Sequence, residues 1–255
     1  AKKAAKEFSF VGELDIIASS EDKNYSYIPK NIVAGSDYDF LHITSNNTIS
    51  GTQYKDFPTS DTPLVCDMSS DIFSRKINVA DFDIIYAGAQ KNMGPAGTAV
   101  YIVKESILGN SSIPIPTMLD LNTHYSKDSM FNTPPVFAIY ASMLNLRWLK
   151  KNGGVGHIQN VNEKKATLLY NEIDNNPLFE GTTAIEDRST MNATFLLKEA
   201  ALTDTFNKMW QEANISGIKG HRSVGGYRAS MYNALPIESV MELVNVMKEL
   251  TEKHG

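Results

Sequence analysis

Residues Tyr86–Gly97 read YAGAQKNMGPAG, and the way this stretch is parsed decides the fold. The apolar run Asp83-Ile84-Ile85-Tyr86 before it has the length and composition of a short buried strand. The run ends in small residues, presents Lys91, and then turns at Gly94-Pro95-Ala96-Gly97. A second apolar run, Pro63-Leu64-Val65-Cys66-Asp67, lies upstream and ends in a carboxylate. If the two are neighbouring parallel strands, Asp67 and Lys91 meet at one C-terminal sheet edge, where α/β proteins place their ligands.

A lysine held at a strand end by small neighbours can condense with an aldehyde, which is how pyridoxal phosphate is anchored. Asp67 can then pair with the protonated ring nitrogen. The same residues also suit plainer roles. QKNMGPAG can be an ordinary polar turn, and Asp67 can cap or turn the chain at Met68-Ser69-Ser70-Asp71.

The chain of 255 residues is long enough for two domains, and its composition is that of a globular protein. The net charge of −5 argues against a general nucleic-acid binder. Any anionic ligand must be met by local arginines and helix ends. The single cysteine, Cys66, excludes an intrachain disulfide and a cysteine-cluster metal site, and its apolar setting suggests a small buried hydrophobe. The five histidines show no ligand spacing, so no metal site is expected. No apolar run can span a bilayer and no secretory signal is seen, so a cytoplasmic location is expected.

Along the chain, AKKAAKEF is helix-like and Leu14–Ala18 strand-like. Strands are expected at Tyr38–Thr44, Pro63–Asp67, Phe82–Tyr86 and Thr98–Val103, which suggests an α/β layer fold. Thr133 suits a helix N-cap and Pro134 a first helical residue, with Gly153-Gly154 as the stop. A second long helix is expected over Val155–Asn175. A smaller unit follows: strand Met191–Leu197, helix Thr203–Asn214, strand Tyr227–Met231 and helix Ile237–Lys253. The expected domains are 1–152 and 153–255.

Gly220–Ala234 reads GHRSVGGYRASMYNA. Arg222 and Arg228 can each form a two-pronged pair with a carboxylate or phosphate, and a substrate with two anionic ends fits them. Two surface salt bridges are the alternative, and His221 alone carries little information. Thr48, in the turn-rich NNTISG of residues 46–51, can donate to a cofactor oxygen. The helix start at Asn132-Thr133 can attract a phosphate, although Thr-Pro-Pro is first a capping pattern.

Taken together, VCDMSSDIFSRKINVADFDIIYAGAQKNMGPAG, FNTPPVFAIY, GHRSVGGYRASMYNA and NNTISG resemble the phosphoserine aminotransferases, a branch of the fold-type I pyridoxal-phosphate enzymes. The similarity runs nearly the whole length and keeps its order. Alanine–glyoxylate aminotransferases and cysteine desulfurases share the lysine and aspartate layout, but are not expected to share QKNMGPAG and GHRSVGG jointly. The resemblance implies a mostly parallel sheet flanked by helices, a smaller C-terminal α/β domain, and pyridoxal 5′-phosphate as cofactor. It implies that Lys91 holds the cofactor aldehyde, that Asp67 faces the ring nitrogen, and that Thr48 and Gln90 touch the cofactor. Asn132 and Thr133 match a pair that reaches the cofactor phosphate of the other subunit of a homodimer. His221 and Arg222 match contacts to a substrate phosphate, and Arg228 matches the arginine that grips the α-carboxylate.

The implied reaction converts L-glutamate and 3-phosphohydroxypyruvate to 2-oxoglutarate and O-phospho-L-serine, with 4-phosphohydroxythreonine of vitamin B6 synthesis as a second substrate. In the family a ring-stacking aromatic, a glycine-containing phosphate turn and a His-Arg substrate pair precede AKKAAKE. This leads to the expectation that the chain is part of a longer one, or is completed by a second polypeptide. A catalytically incompetent fragment, or a related aminotransferase with a non-phosphorylated substrate, are the alternatives.

Overall fold

The structure is a computed structural model and describes residues 2–222 and 224–255. Its first sheet has the order β1-β4-β5-β6, formed by β1 (Leu41–Thr44), β4 (Leu64–Asp67), β5 (Ile84–Gly88) and β6 (Ala99–Val103). β1, β4 and β5 are parallel, whereas β6 runs antiparallel to β5. A hairpin of β2 (Asn46–Asn47) and β3 (Thr52–Gln53) rises from the end of β1. The second sheet is antiparallel, with β7 (Phe179–Gly181), β8 (Asn192–Leu197) and β9 (Tyr227–Ser230) in that order. The helices are α1 (Lys2–Phe8), α2 (Leu121–Tyr125), α3 (Val136–Lys151), α4 (Gly154–Asn175), α5 (Thr203–Glu212) and α6 (Ile237–His254).

Period-two alternation explains how the first sheet is seated. Leu41 and Ile43, Leu64 and Cys66, and Ile85 and Ala87 are all buried and point into one core with Met68, Ile72, Phe82 and Met93. The opposite face therefore carries His42, Thr44, Val65, Asp67, Tyr86 and Gly88. A second core packs α4, α5 and α6 on the other sheet, with Phe179, Phe195, Phe206 and Tyr227 at its centre. Phe206 meets Phe179 and Tyr227 edge-on, with centroids 5.2 and 4.9 Å apart.

Several expected elements change on folding. Leu14–Ala18 is not a strand: it has no sheet neighbour among the described residues, and Leu14, Ile16 and Ile17 stay exposed. β1 starts at Leu41 rather than Tyr38, because its ladder begins where the Leu41 amide meets the Pro63 carbonyl. Thr133 does not cap α3. The helix starts at Val136 with Pro135 at its N-cap, since a proline following Pro134 keeps that residue out of the helical region. The Ile-Ile strand is shifted to Ile84–Gly88 and carries the chain two residues closer to Lys91. β7 and α2 were not expected from the pattern, being too short for a period to show.

Candidate active site

Asp67 is the last residue of β4. Its register partners are Thr44 on β1 and Tyr86 on β5. Its backbone oxygen accepts from both the amide and the hydroxyl of Ser45, at 3.0 Å each. Its Oδ1 accepts from the Ser69 amide at 2.8 Å, so the turn role and a site role coexist in one residue. The half-buried carboxylate is left with acceptor capacity toward the C-terminal edge.

β5 ends at Gly88, and Lys91 follows three residues later in a turn closed by the Gly94 amide on the Ala89 carbonyl. Buried Asn92 pins this turn. Its Nδ2 donates to the Ile72 carbonyl at 3.1 Å, its Oδ1 accepts from the Asn233 amide at 3.0 Å, and its own carbonyl accepts from Asn145. Gln90 is exposed, and its side chain folds back on Gly88 so closely that a Cβ there would lie 2.4 Å from Gln90 Oε1. A side chain at position 88 would displace the Gln90 amide from this position.

Arg228 enters from the second sheet, where it pairs with Thr194. Its Nη1 donates to the Thr48 carbonyl at 3.2 Å, and its buried Nε has no partner among the described residues. Burial pulls the Lys91 amine below the usual lysine range. The Asp67 charge opposes that shift, and the Arg228 charge adds to it. Lys91, Asp67, Arg228 and Thr48 therefore share one site, drawn from both sheets. Behind it, buried Asp71 accepts from Ser45 and Gln53 and faces Arg75; burial pushes its carboxyl above the usual range.

The remaining expected residues come from other segments of the chain. Asn132 and Thr133 are exposed ahead of α3, where the Asn132 amide donates to the Thr133 carbonyl at 3.1 Å. His221 and Arg222 are exposed in a loop closed by the Gly220 amide on the Gly226 carbonyl at 2.8 Å. Gly220 is confined there, since a Cβ would fall 1.9 Å from the Gly225 oxygen. Sequence reading passed over His42, Thr44 and Tyr86, which line the same sheet face as Asp67. The cue that could have found them was alternation: each sits an even number of residues from a buried-strand end on the polar side.

The donor set fits pyridoxal phosphate. It offers one half-buried amine of lowered proton affinity and one carboxylate on the adjoining parallel strand. Two buried polar atoms beside them, Thr44 Oγ1 and Arg228 Nε, lack protein partners among the described residues.

The family model of the aminotransferases of class V matches residues 12–243. A phosphoserine aminotransferase of Flavobacterium psychrophilum is 62% identical over 98% of this chain and 70% of its own length. The solved phosphoserine aminotransferase of Bacillus circulans subsp. alkalophilus superposes with a TM-score of 0.96 at 43% identity, over 100% of this chain and 72% of that one. A pyridoxal-phosphate-bound phosphoserine aminotransferase from Trichomonas vaginalis gives 0.89 at 33% identity, over 96% and 71%. This chain belongs to the class-V aminotransferase family, in its phosphoserine aminotransferase branch.

Proposed function

We propose that this chain is a pyridoxal-phosphate-dependent phosphoserine transaminase, passing the amino group of L-glutamate to 3-phosphohydroxypyruvate in serine biosynthesis. The observation that carries the proposal is the meeting of the Lys91 amine, the Asp67 carboxylate and the Arg228 guanidinium at one sheet edge. The relatives that share most of the chain agree with it. When bound, pyridoxal phosphate supplies an aldehyde for the amino group and a ring that withdraws the electrons freed at the α-carbon.

Each residue then has a task. Lys91 Nζ anchors the cofactor at rest; once released, it takes and later returns the proton exchanged at the substrate α-carbon. Its lowered proton affinity leaves more of the neutral amine for that work. Asp67 faces the ring nitrogen and favours its protonated form. Arg228 holds the substrate α-carboxylate and so aims the α-hydrogen at Nζ. His221 and Arg222 receive the phosphate of the keto acid, and Thr48 and Gln90 hold the cofactor.

We assign Asn132 and Thr133 to the cofactor phosphate of a second subunit. The exposed apolar side chains around them support a homodimer: Phe131, Val136, Phe137 and Tyr140 face solvent, Phe137 being 78% exposed. Residues 1–152 and 153–255 are assigned to the large and small domains, in keeping with the two hydrophobic clusters. A cytoplasmic setting and a secondary role with 4-phosphohydroxythreonine complete the proposal, on the resemblance alone. No helix among the described residues is long and apolar enough to cross a membrane.

The test is an amino-acceptor series run with the pyridoxal-phosphate-loaded protein. Turnover of 3-phosphohydroxypyruvate well above that of its unphosphorylated counterpart is the expected result. Equal turnover of the two would remove His221 and Arg222 from the assignment, and turnover by Lys91→Ala would remove Lys91.

A further inference from the structure

Tyr86 and His42 share the sheet face of Asp67 and have no part in the chemistry above. Tyr86 stands beside Asp67 on β5, while His42 stands beside Val65 on β1. β4 runs between them. The Tyr86 phenol oxygen nevertheless lies 2.9 Å from His42 Nε2. The bridge therefore spans β4, from the register position of Val65 to that of Asp67. The two rings are 6.0 Å apart at 30°, and Tyr101 on β6 stacks against the far side of Tyr86 at 6.1 Å. The phenol is thus held on both flanks.

We propose that Tyr86 and His42 form a cross-strand brace that positions the Asp67 carboxylate for the cofactor's ring nitrogen. With the cofactor bound, His42 Nε2–H would donate to the phenol oxygen, and the phenol O–H would turn to Asp67, its register neighbour on β4. The Ser69 amide already holds Oδ1 at 2.8 Å. A second donor from the β5 side would fix the carboxylate plane and leave its remaining lone pairs for the ring nitrogen. The electrostatics agree. Burial, and then the Asp67 charge, push loss of the phenol proton above the usual range, so the phenol keeps its proton. Burial also holds His42 below the usual histidine range, in its neutral form with one N–H to give. Tyr86 and His42 are thus positioning residues: they act through Asp67.

The inference rests on Asp67 facing the ring nitrogen, and the experiment separates the two. The protein is loaded with pyridoxal phosphate carrying 15N in its ring, and two quantities are read: the ring-nitrogen chemical shift at fixed pH, and the dissociation constant of the cofactor. Asp67→Asn is measured first. It must move the signal toward the neutral-pyridine position; if it does not, the reading of Asp67 itself fails. With that established, Tyr86→Phe and His42→Leu should each move the signal the same way and weaken cofactor binding about tenfold, the worth of one hydrogen bond to a charged group. The double variant should be no worse than the weaker-binding single variant, because both cut one chain of hydrogen bonds. His42→Gln, which retains an N–H donor, should restore part of both readouts. Melting curves check the fold, and Tyr86→Phe, which keeps the ring, decides alone if His42→Leu does not fold. A Tyr86→Phe protein with unchanged ring-nitrogen signal and unchanged cofactor affinity overturns the brace, as would strictly additive effects of the two substitutions.

Discussion

Replacing Arg228 by lysine isolates what the planar fork contributes. The wild-type guanidinium already spends Nη1 on the Thr48 carbonyl at 3.2 Å, while its buried Nε has no partner among the described residues. The edge bearing Nε is therefore the one available to a substrate carboxylate. A lysine keeps the positive charge but has a single nitrogen. It cannot hold the Thr48 carbonyl and both oxygens of a carboxylate together. One charge-assisted hydrogen bond lost in a half-buried site is worth about 1.5–3 kcal/mol, or roughly a 10- to 150-fold weakening. Both half-reactions use a substrate with an α-carboxylate. Arg228→Lys should accordingly raise KM for L-glutamate and for the keto acid alike, within that range. Steady-state kinetics with each substrate varied in turn gives the two values. Loss confined to the phosphorylated keto acid would refute the carboxylate role and place Arg228 at the phosphate instead.

Other perturbations probe separate steps. Borohydride trapping of pyridoxal phosphate should label Lys91 and be absent in Lys91→Ala. Because burial depresses the folded amine's proton affinity, the neutral nucleophile persists to lower pH than for an exposed lysine, and the trapping profile should have its midpoint below the free-lysine value; Arg228→Met removes a neighbouring positive charge and should move that midpoint up. Asn92→Ala strands the Ile72 carbonyl and the Asn233 amide. It should cost about 3 kcal/mol and lower Tm by roughly 6–12 °C in a calorimetric scan. Phe206→Ala opens a cavity in a site with 0% exposure and should destabilise by about 3–5 kcal/mol in denaturant unfolding without altering the cofactor spectrum. Phe137→Asp should shift the sedimentation profile to the monomer if α3 forms the dimer face, and leave it unchanged otherwise.

The sequence made the chemistry-bearing edge legible because strand ends are marked by composition. Pro63–Asp67 and the Ile-Ile run are short and apolar, each stops at small or polar residues, and the structure places β4 and β5 side by side and parallel. Helix ends at Gly153 and Pro177 were equally clear, since glycine and proline act locally. What stayed hidden depends on partners far along the chain. Leu14–Ala18 has strand composition but no strand to pair with among the described residues. Lys165 looks like a solvated residue of a long amphipathic helix, yet it is fully buried, its Nζ donating to the carbonyls of Met231, Tyr232 and Leu235 at 3.0, 2.9 and 3.1 Å. No window around Lys165 contains those carbonyls. The same holds for the Tyr86–His42 pair, which are 44 positions apart and meet only because β1 and β5 flank β4.

The seam between the two cores explains why a site assembled from both can be accurate. Buried side-chain amides and hydroxyls tie it together. Buried Asn46 donates to Ser70 at 2.8 Å and to Asn192 at 2.9 Å, joining the hairpin beside β1 to β8. Asn92, next to Lys91, receives the Asn233 amide, and Asn233 in turn donates to the Phe73 carbonyl and accepts from Asn162 at 2.9 Å. Each of these bonds has a direction and a narrow range of lengths, whereas an apolar contact of equal area tolerates sliding. Breaking any one strands a buried polar group, so the alternatives to this register are disfavoured rather than merely less stable. Lys91 and Arg228, which come from different sheets, are fixed relative to each other through this network, in keeping with a reaction that depends on aiming one carbon–hydrogen bond at one amine.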